Sequence, residues 1–531
     1  RQRQMCIRDR IMLKLNLVIV MSKRHRAVSI IIFSIFLFLS LMICTSVLWC
    51  NRTFGKVDMD QLLFTVLAPT TSTDHGIIIS WILESLVFSL VIMVIVLISY
   101  YLIRKYWANR FVKPRFLYVI NRHLWVLGVV LLAGALSMAE SNFGVFDYLR
   151  KSNQKTEIYE PKKIAVKKEV SDGDPELIYA DPTSVAVSGE NPNNLIYIYL
   201  ESYENTFMDV VNGGIKEINC LPELTQLANE NISFSNTDKA GGALGFTGTT
   251  WTIASMVGQS SGLPLKSEVA NDMSNYAKFM PGAKMIGDIL AENGYIQEFC
   301  IGGNATFAGT DKLFEQHGNY KIVDYKALKN DGRVQRGEVC EWGINDQGLF
   351  RIAKEEITNL VNSGQKFNFT MATIDCHTTD GIKCSLCPNT YSNRYENIYA
   401  CQSKQVNNFI SWCKEQSWFA NTTIVLVGDH NTMAVKYTKD IPADYVRTTY
   451  NCFINSKVSS NNIKNRQFSH LDMFPTTLAA MGFKVDGNKL ALGTNLFSSL
   501  PTAIEKYGQA YIEAEVKKSS TFLDENIYKF N

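Results

Sequence analysis

The chain has 531 residues, which is enough for a large buried core and more than one domain. Its net charge of +3 is nearly balanced, so the composition gives no signal for a nucleic-acid partner. Hydrophobic residues make up an ordinary 46% of the chain, but long apolar blocks are concentrated in the first 140 residues. This uneven distribution predicts a membrane-associated N-terminal part followed by a water-soluble part.

The extreme N-terminus, RQRQMCIRDR, resembles translated sequencing-adapter read-through. Residues 1–11 are therefore interpreted as a sequence artefact without function, with Met21 as the more natural start and Met12 as the alternative. Detection of a peptide that covers Arg1 to Arg10 in the native protein would contradict this interpretation.

Three apolar stretches follow, and a helix needs about 20 apolar residues to cross a bilayer. Residues 27–49 carry no charge, residues 76–103 carry only Glu84, and residues 123–139 form a shorter and weaker stretch. A cleaved signal peptide is a poor alternative for the first stretch, because the apolar block is too long and two more follow. The sequence thus predicts a membrane anchor of three spans over residues 21–139.

Basic residues predict the orientation of this anchor. MSKRHR precedes the first span, and the loop of residues 104–122 holds six Lys or Arg and no acidic residue. Short basic loops stay on the cytoplasmic side, so everything after about Ala139 is expected to lie outside the cell membrane. Glu84 within a span marks either a functional site or, as we favour, a position near the interface.

Residues 140–192 are polar and charged without a sustained apolar period, which predicts a linker or a wrap-around arm. In residues 193–531, short apolar runs alternate with helical patterns. The runs predicted as strands are Asn194–Leu200, Tyr295–Gly302, Phe367–Ile374, Thr422–Gly428 and Asn451–Ser456. This alternation predicts an α/β domain with a mostly parallel sheet flanked by helices.

Carboxylates and imidazoles follow three of these strands at the point where each strand ends. Glu201 follows the first, Asp375 and His377 follow the third, and Asp429 and His430 follow the fourth. Ligands of such sheets bind at the carboxyl ends of the strands, so we expect these side chains to converge. Mixed oxygen and nitrogen donors suit manganese or zinc better than calcium, which takes six to eight oxygens. For each His alone, a hydrogen-bonded structural role is the alternative.

A segment rich in Gly, Thr and Ser, GGALGFTGTTWTIASMVGQSSGLP (residues 241–264), has a second half that can start a helix. A hydroxyl at such a turn suits an anion, because backbone N–H groups and the helix dipole point towards it. Small-residue turns before helices are common, so this segment alone does not define a nucleophile.

Five segments together resemble the membrane phosphoglycerol transferases of the sulfatase and alkaline phosphatase superfamily, a family that includes lipoteichoic acid synthase and phosphoglycerol transferase I. They are YLESYENTF, FTGTTWTIASMVGQSSGLP, TIDCHTTDG, VLVGDHNTM and SHLDMFPTTLAAMG. The resemblance covers about residue 194 to the C-terminus. It implies an alkaline-phosphatase/sulfatase-like fold and metal-dependent transfer of glycerophosphate from phosphatidylglycerol through a phospho-threonine intermediate. The acceptor would be an extracytoplasmic glycan or a teichoic acid-type chain.

The resemblance also implies a threonine nucleophile, which we assign to Thr249. The step of 13 residues from Thr249 to Gly262 is that of the synthases. Thr250 and Thr252 are close enough in sequence to stay open as alternatives.

The same resemblance implies one divalent metal, manganese in the first place and zinc or magnesium as alternatives. Glu201, Asp429 and His430 would be its protein ligands, together with the hydroxyl of Thr249. His377, in TIDCH, would contact the substrate phosphate or protonate the leaving oxygen.

One segment departs from the pattern of the synthases, which have a Trp and an Arg after the strand near residue 300. Ala308 and Thr310 stand there in this chain, so Asp311 and Lys312 are the polar residues left to bind substrate. This departure leaves the acceptor and the donor pocket open.

Nine of the twelve cysteines lie in the predicted outer domain, where disulfides are favoured over zinc sites. Cys384 and Cys387 form a C-x2-C pair, and we expect one of them to pair with Cys401. Cys376 is a rival partner. An odd number leaves at least one thiol outside such pairs.

Two other functions are alternatives. A phosphoethanolamine transferase would share the threonine and the metal, and an anchored binding domain would have a degenerate form of the site. A sulfate-ester hydrolase is less favoured, because the C/S-x-P-x-R context of its nucleophile is absent from the sequence.

Overall fold

A computed structural model of the chain describes residues 2–55, 57, 59, 61–62, 75–108, 114–146, 155–156, 179–184, 186–266, 277–378 and 380–529. The chain divides into two compact units. The first comprises Arg1–Val57 and Asp74–Asp147, and the second comprises Asp58–Thr73 and Tyr148–Asn531.

The described residues of the first unit form three long helical segments. They are α1 (Gln2–Phe54), α2 (residues 75–108) and α3 (Pro114–Phe143). Helix α2 consists of four consecutive parts, His75–Trp81, Ile82–Val87, Phe88–Ile103 and Arg104–Ala108, of which the second and fourth are π-helical. Within them, His25–Phe54, Ile78–Tyr106 and His123–Phe143 are long and apolar enough to cross a membrane. These three apolar helices suggest a membrane protein.

Glu84 on α2 forms an ion pair with Arg52, which lies in the last turn of α1. The hydroxyl of Ser80 also donates a hydrogen bond of 3.0 Å to the Glu84 carboxylate. The charge of Glu84 is therefore paired next to a helix end, which supports the interface interpretation over a functional site in mid-membrane.

The second unit is organised around a six-stranded sheet. Its strands are β1 (Asn194–Leu200), β2 (Ile296–Ile301), β3 (Lys321–Val323), β4 (Phe367–Ala372), β5 (Thr422–Gly428) and β6 (Asn451–Ile454). Their order across the sheet is β6-β5-β1-β4-β2-β3, and all neighbouring pairs are parallel except β5 with β6. The predicted α/β class with a mostly parallel sheet is confirmed.

Continuous apolar strands form this sheet because both of its faces are covered by helices. Along β1, Leu195, Tyr197 and Tyr199 belong to one hydrophobic cluster, and the intervening residues belong to the other. The helices are α4 (Pro222–Glu230), α5 (Thr252–Ser261), α6 (Ile286–Glu292), α7 (Thr310–Gln316), α8 (Tyr325–Asn330), α9 (Asp346–Asn362), α10 (Arg394–Lys414), α11 (Val435–Thr438), α12 (Met473–Met481), α13 (Ala503–Tyr507) and α14 (Gln509–Val516). Helices α5, α6 and α12 contribute to the first cluster, and α4, α9 and α10 contribute to the second.

Four pairs of two-residue strands complete the described β-structure. They are Lys155–Thr156 with Ser519–Ser520, Val187–Ser188 with Lys484–Val485, Val339–Cys340 with Gly343–Ile344, and Lys489–Leu490 with Gly493–Thr494.

The predicted strands agree with the structure closely at β1 and β5, whose bounds are the same. The other three predicted strands extend one or two residues too far, and β3 was not predicted. Part of the segment interpreted as a linker is packed within the second unit: Tyr179 and Ala180 are 2% and 0% exposed, and Ala180 exchanges backbone hydrogen bonds with Ala491. Of that segment, residues 147–154, 157–178 and 185 lie outside the described residues.

The central strands end at one level of the sheet. Leu200, the last residue of β1, is paired with Gly428, the last of β5, and Tyr199 is paired with Ala372, the last of β4. The residues that follow β1, β4 and β5 therefore lie at the same edge of the sheet.

Gly428 is expected to tolerate no side chain. A Cβ atom there would collide with the backbone oxygen of Tyr203, so the backbone would have to shift to accommodate it. Gly428→Ala should lower the free energy of unfolding by about 3 kcal/mol or more, measured by chemical denaturation of the purified chain. Gly303→Ala is the control, because its Cβ would lie 3.3 Å from the nearest atom, the backbone oxygen of Trp342. Equal destabilisation by both variants would contradict the argument.

Candidate active site

Glu201, Asp429 and His430 meet at this edge of the sheet. Glu201 follows β1, and the other two follow β5. The Nε2 atom of His430 lies 3.6 Å from Glu201 Oε1 and 3.5 Å from Asp429 Oδ2. All three side chains are buried, with exposed fractions of 4%, 1% and 2%. The structure thus brings the three predicted metal ligands within reach of one ion.

Local hydrogen bonds orient these groups. The backbone N–H groups of Ser202 and His430 each donate to Asp429 Oδ1 at 2.7 Å, while Asp429 Oδ2 accepts no hydrogen bond from the described residues. The Ser202 hydroxyl donates to Glu201 Oε1 at 2.6 Å. His430 Nδ1 lies 3.0 Å from the carbonyl oxygen of Asn431, which directs Nε2 towards the carboxylates.

The electrostatics of the three groups favour a bound cation. Burial, and then the charge of Glu201, raise the pKa of Asp429 to about 7. Burial alone would lower the pKa of His430, but Asp429 and Glu201 raise it above its usual value. Two buried carboxylates that face each other repel, and a positive charge between them removes that repulsion.

Thr252 supplies the hydroxyl of this cluster. It is the first residue of α5, preceded by Trp251 in an extended conformation without a side-chain cap. Its Oγ1 lies 3.3 Å from Glu201 Oε2 and 3.4 Å from His430 Nε2. One turn later, the Ser255 hydroxyl donates to the carbonyl oxygen of Asp429, which fixes the start of α5 against the end of β5.

The structure places Thr249 differently from the prediction. Its hydroxyl donates to the carbonyl oxygen of Phe246 at 2.9 Å and accepts from the N–H of the same residue at 3.1 Å. Its methyl group lies 3.3 Å from the position that a Cβ on Gly258 would take, under α5. Thr249 is fully buried within its own turn, and the hydroxyl that reaches the carboxylates is that of Thr252.

The residues present fit a single divalent metal. Glu201 and Asp429 offer carboxylate oxygens, Thr252 a hydroxyl oxygen and His430 an imidazole nitrogen, a donor set that suits manganese or zinc. The buried Asp429 Oδ2 accepts no hydrogen bond within the described part of the chain, and a bound cation would compensate its charge.

His377 lies on the loop after β4 and is partly exposed. Its Nδ1 is 2.8 Å from the carbonyl oxygen of Thr378, and its ring packs against Trp342 with ring centroids 4.5 Å apart. Asp311 and Lys312, the predicted substrate-binding residues, lie at the start of α7 after β2, where the Lys312 N–H donates to Asp311 Oδ1. The predicted substrate residues therefore lie on two separate elements, the loop after β4 and the start of α7.

Three supporting residues were not identified from the sequence. Thr373 Oγ1 accepts hydrogen bonds of 2.9 Å from the N–H of Glu201 and from the amide of Gln402. The Gln402 amide also donates to Asp346, whose carboxylate accepts from the N–H of Ile374 at 2.7 Å. These contacts connect α9, α10 and the loop after β4 to the end of β1. Side chains of this kind carry no sequence signal, because their partners are distant in the chain.

The fold and the site define an α/β protein with ligands for a single metal ion at the carboxyl edge of its sheet. Residues 193–483 match the Sulfatase family, and the chain belongs to this family. The membership of the sulfatase superfamily that the five sequence segments implied is thereby confirmed. Enzymes of the sulfatase and alkaline phosphatase superfamily generally depend on a divalent metal.

A curated relative from Escherichia fergusonii, named phosphoglycerol transferase I, is 32% identical over 288 residues, which are 51% of this chain and 36% of the relative. A protein of the same name from Citrobacter koseri matches equally. The chain thus spans about a third of the length of the curated relatives it matches. Among solved structures, the lipoteichoic acid synthase LtaP of Listeria monocytogenes aligns with a TM-score of 0.46 and 18% identity, over 59% of this chain and 79% of that chain.

Proposed function

We propose that the protein transfers a glycerophosphate group from phosphatidylglycerol to an extracytoplasmic glycan or teichoic acid-type acceptor, through a phosphorylated Thr252. The observation that carries this proposal is the position of the Thr252 hydroxyl, at the start of α5 and in contact with Glu201 and His430. The donor group follows from the relatives named phosphoglycerol transferase I.

In this proposal Glu201, Asp429, His430 and Thr252 hold one divalent cation, manganese in the first place and zinc or magnesium as alternatives. When bound, the cation neutralises the phosphodiester and lowers the pKa of the Thr252 hydroxyl. Thr252 then replaces Thr249 as the proposed nucleophile, since threonine is a weak nucleophile without such activation.

The residues of the chain account for the first chemical step. The Thr252 hydroxyl loses its proton to solvent as its oxygen forms a bond to phosphorus, and the bond from phosphorus to the diacylglycerol oxygen breaks. Backbone N–H groups at the start of α5 would bind the phosphate, since Trp251 provides no side-chain cap for them. His377 is the proposed proton donor for the leaving oxygen, through Nε2, since Nδ1 is directed at Thr378.

In the second step an acceptor hydroxyl loses its proton to solvent and its oxygen bonds to the same phosphorus. The bond from phosphorus to the Thr252 oxygen breaks, and that oxygen takes up a proton from solvent. Asp311 and Lys312 are proposed to bind the substrate at the start of α7. The three apolar helices would anchor the protein as a multi-pass membrane protein, with the second unit on the extracytoplasmic side.

Diacylglycerol release from lipid vesicles tests the donor. The purified full chain should release diacylglycerol from phosphatidylglycerol with manganese present, on the order of tenfold faster than from phosphatidylethanolamine, a difference of about 1.4 kcal/mol. Chelation of the metal should abolish the release. Faster release from phosphatidylethanolamine would indicate a phosphoethanolamine transferase, and no release from either lipid would indicate an anchored binding domain.

A further inference from the structure

Three cysteines converge at a second place in the second unit, where none of the residues of the candidate active site takes part. Cys384 and Cys387 lie on the loop between β4 and α10, and Cys401 lies on α10. The Cys384 sulfur is 3.7 Å from that of Cys387 and 3.6 Å from that of Cys401, and all three lie within 4.8 Å of one another. The sequence predicted this proximity, but the structure holds the three as separate thiols.

The two sulfur–sulfur distances agree with the geometry of a tetrahedral metal site. Four sulfur ligands at about 2.3 Å from zinc stand at the corners of a tetrahedron whose edge is about 3.8 Å. The separations of 3.6 and 3.7 Å match this edge. A disulfide would use two of the sulfurs and leave the third as an unused thiol beside it. Convergence of three sulfurs on one point is instead what a metal requires.

The surroundings of the sulfurs also suit a metal. The N–H of Cys387 lies 3.3 Å from the carbonyl oxygen of Cys384, so the C-x2-C pair forms a tight turn that directs both sulfurs to one side. The amide of Gln405, one turn after Cys401, donates to the sulfurs of Cys401 at 3.3 Å and Cys384 at 3.8 Å. Such donors stabilise thiolates and orient them as ligands. Cys384 and Cys401 are buried, while Cys387 is partly exposed.

We propose that Cys384, Cys387 and Cys401 bind a soft divalent cation of the zinc class, with solvent as the fourth ligand on the side of Cys387. Binding replaces three S–H protons, which pass to the solvent, by three metal–sulfur bonds. No oxidant takes part.

The proposed site ties the loop after β4 to α10. That loop carries His377, and the residue next to Cys401 is Gln402, which supports Thr373 and through it the backbone of Glu201. The cation therefore has a positioning role for the candidate active site, and it takes no part in the chemistry.

Cobalt binding tests this site independently of activity. The full chain, purified in detergent under reducing conditions and freed of metal, should develop thiolate-to-cobalt charge-transfer absorption in the near ultraviolet when Co²⁺ is added. Oxygen and nitrogen ligands give no such band, so Asp429→Asn should leave it unchanged. Cys384→Ser and Cys401→Ser should abolish it. Cys413→Ser is the matched control, a buried cysteine of the same helix, and should retain it.

Alkylation of the unaltered chain provides a readout that does not depend on the folding of variants. Zinc should slow the alkylation of Cys384, Cys387 and Cys401 and leave that of the partly exposed Cys340 unchanged. Absence of the cobalt band, or equal alkylation of the three thiols with and without zinc, would overturn the proposal. A disulfide between any two of them in protein purified without reductant would overturn it as well.

Discussion

Replacement of Thr252 with alanine is expected to lower diacylglycerol release from phosphatidylglycerol by on the order of a thousandfold or more, because the variant loses the proposed nucleophile. The substitution removes one hydroxyl and one methyl group at the first residue of α5, so the helix itself should stay folded. The hydroxyl contacts Glu201 and His430, and its loss should also weaken metal binding. The measurement is the initial rate of release from vesicles with saturating manganese.

Thr249→Val is the matched control for this prediction. It removes the hydroxyl that is hydrogen-bonded to the backbone of Phe246 and keeps the shape of the side chain. The variant should therefore lose about 1–2 kcal/mol of stability and retain activity. Peptide mass spectrometry of the quenched reaction should find glycerophosphate on Thr252. A fully active Thr252→Ala variant, or modification at Thr249 in the unaltered chain, would contradict the assignment.

The sheet could be predicted from the sequence because its strands are buried on both faces. Such strands are continuous apolar runs bounded by polar residues, and Asn194–Leu200 and Thr422–Gly428 have this pattern over their full length. Lys321–Val323 has three residues and one of them is Lys, so it gives no comparable signal. Pairing with β2 alone makes it a strand.

The proposed metal ligands could be predicted for a related reason. Glu201 and Asp429 follow strands that end in register, so the ends of two apolar runs were enough to place them together. The hydroxyl could not be chosen in the same way. Thr249, Thr250 and Thr252 are almost equivalent in sequence, and their difference is set by where α5 begins. The backbone is extended at Trp251, so the helix begins at Thr252. Counting residues between sequence motifs does not predict this local conformation.

The cysteines illustrate a different limit. The C-x2-C spacing and Cys401 were identified from the sequence, but the chemistry was inferred from the predicted compartment alone. Whether two sulfurs or three meet depends on the turn at Cys384 and on the face of α10 that carries Cys401 and Gln405. Only the folded chain brings these features to one point.

Replacement of Asp429 with asparagine is expected to have opposite effects on the metal-free and the metal-loaded protein. In the metal-free protein the buried carboxylates of Asp429 and Glu201 repel each other, and burial together with Glu201 raises the pKa of Asp429 to about 7. At about pH 8 the ionised Asp429 therefore destabilises the folded state, by on the order of a few kcal/mol. Asparagine removes this charge, and its side-chain oxygen can still accept from the N–H groups of Ser202 and His430. The variant should unfold at a higher temperature than the unaltered chain when both lack metal.

The reverse holds with manganese. The unaltered chain should gain stability with increasing metal, because the cation binds the folded state and offsets the repulsion of the two carboxylates. Asp429→Asn should lose most of this gain and on the order of a hundredfold or more in diacylglycerol release, since a neutral amide is a poor ligand for a hard divalent ion. Asp380→Asn, at an exposed carboxylate paired with Lys436, should change neither property. Thermal unfolding of the three proteins with and without manganese measures both effects. A variant that is less stable without metal and equally stabilised by manganese would show that Asp429 is a structural hydrogen-bond acceptor and not a ligand.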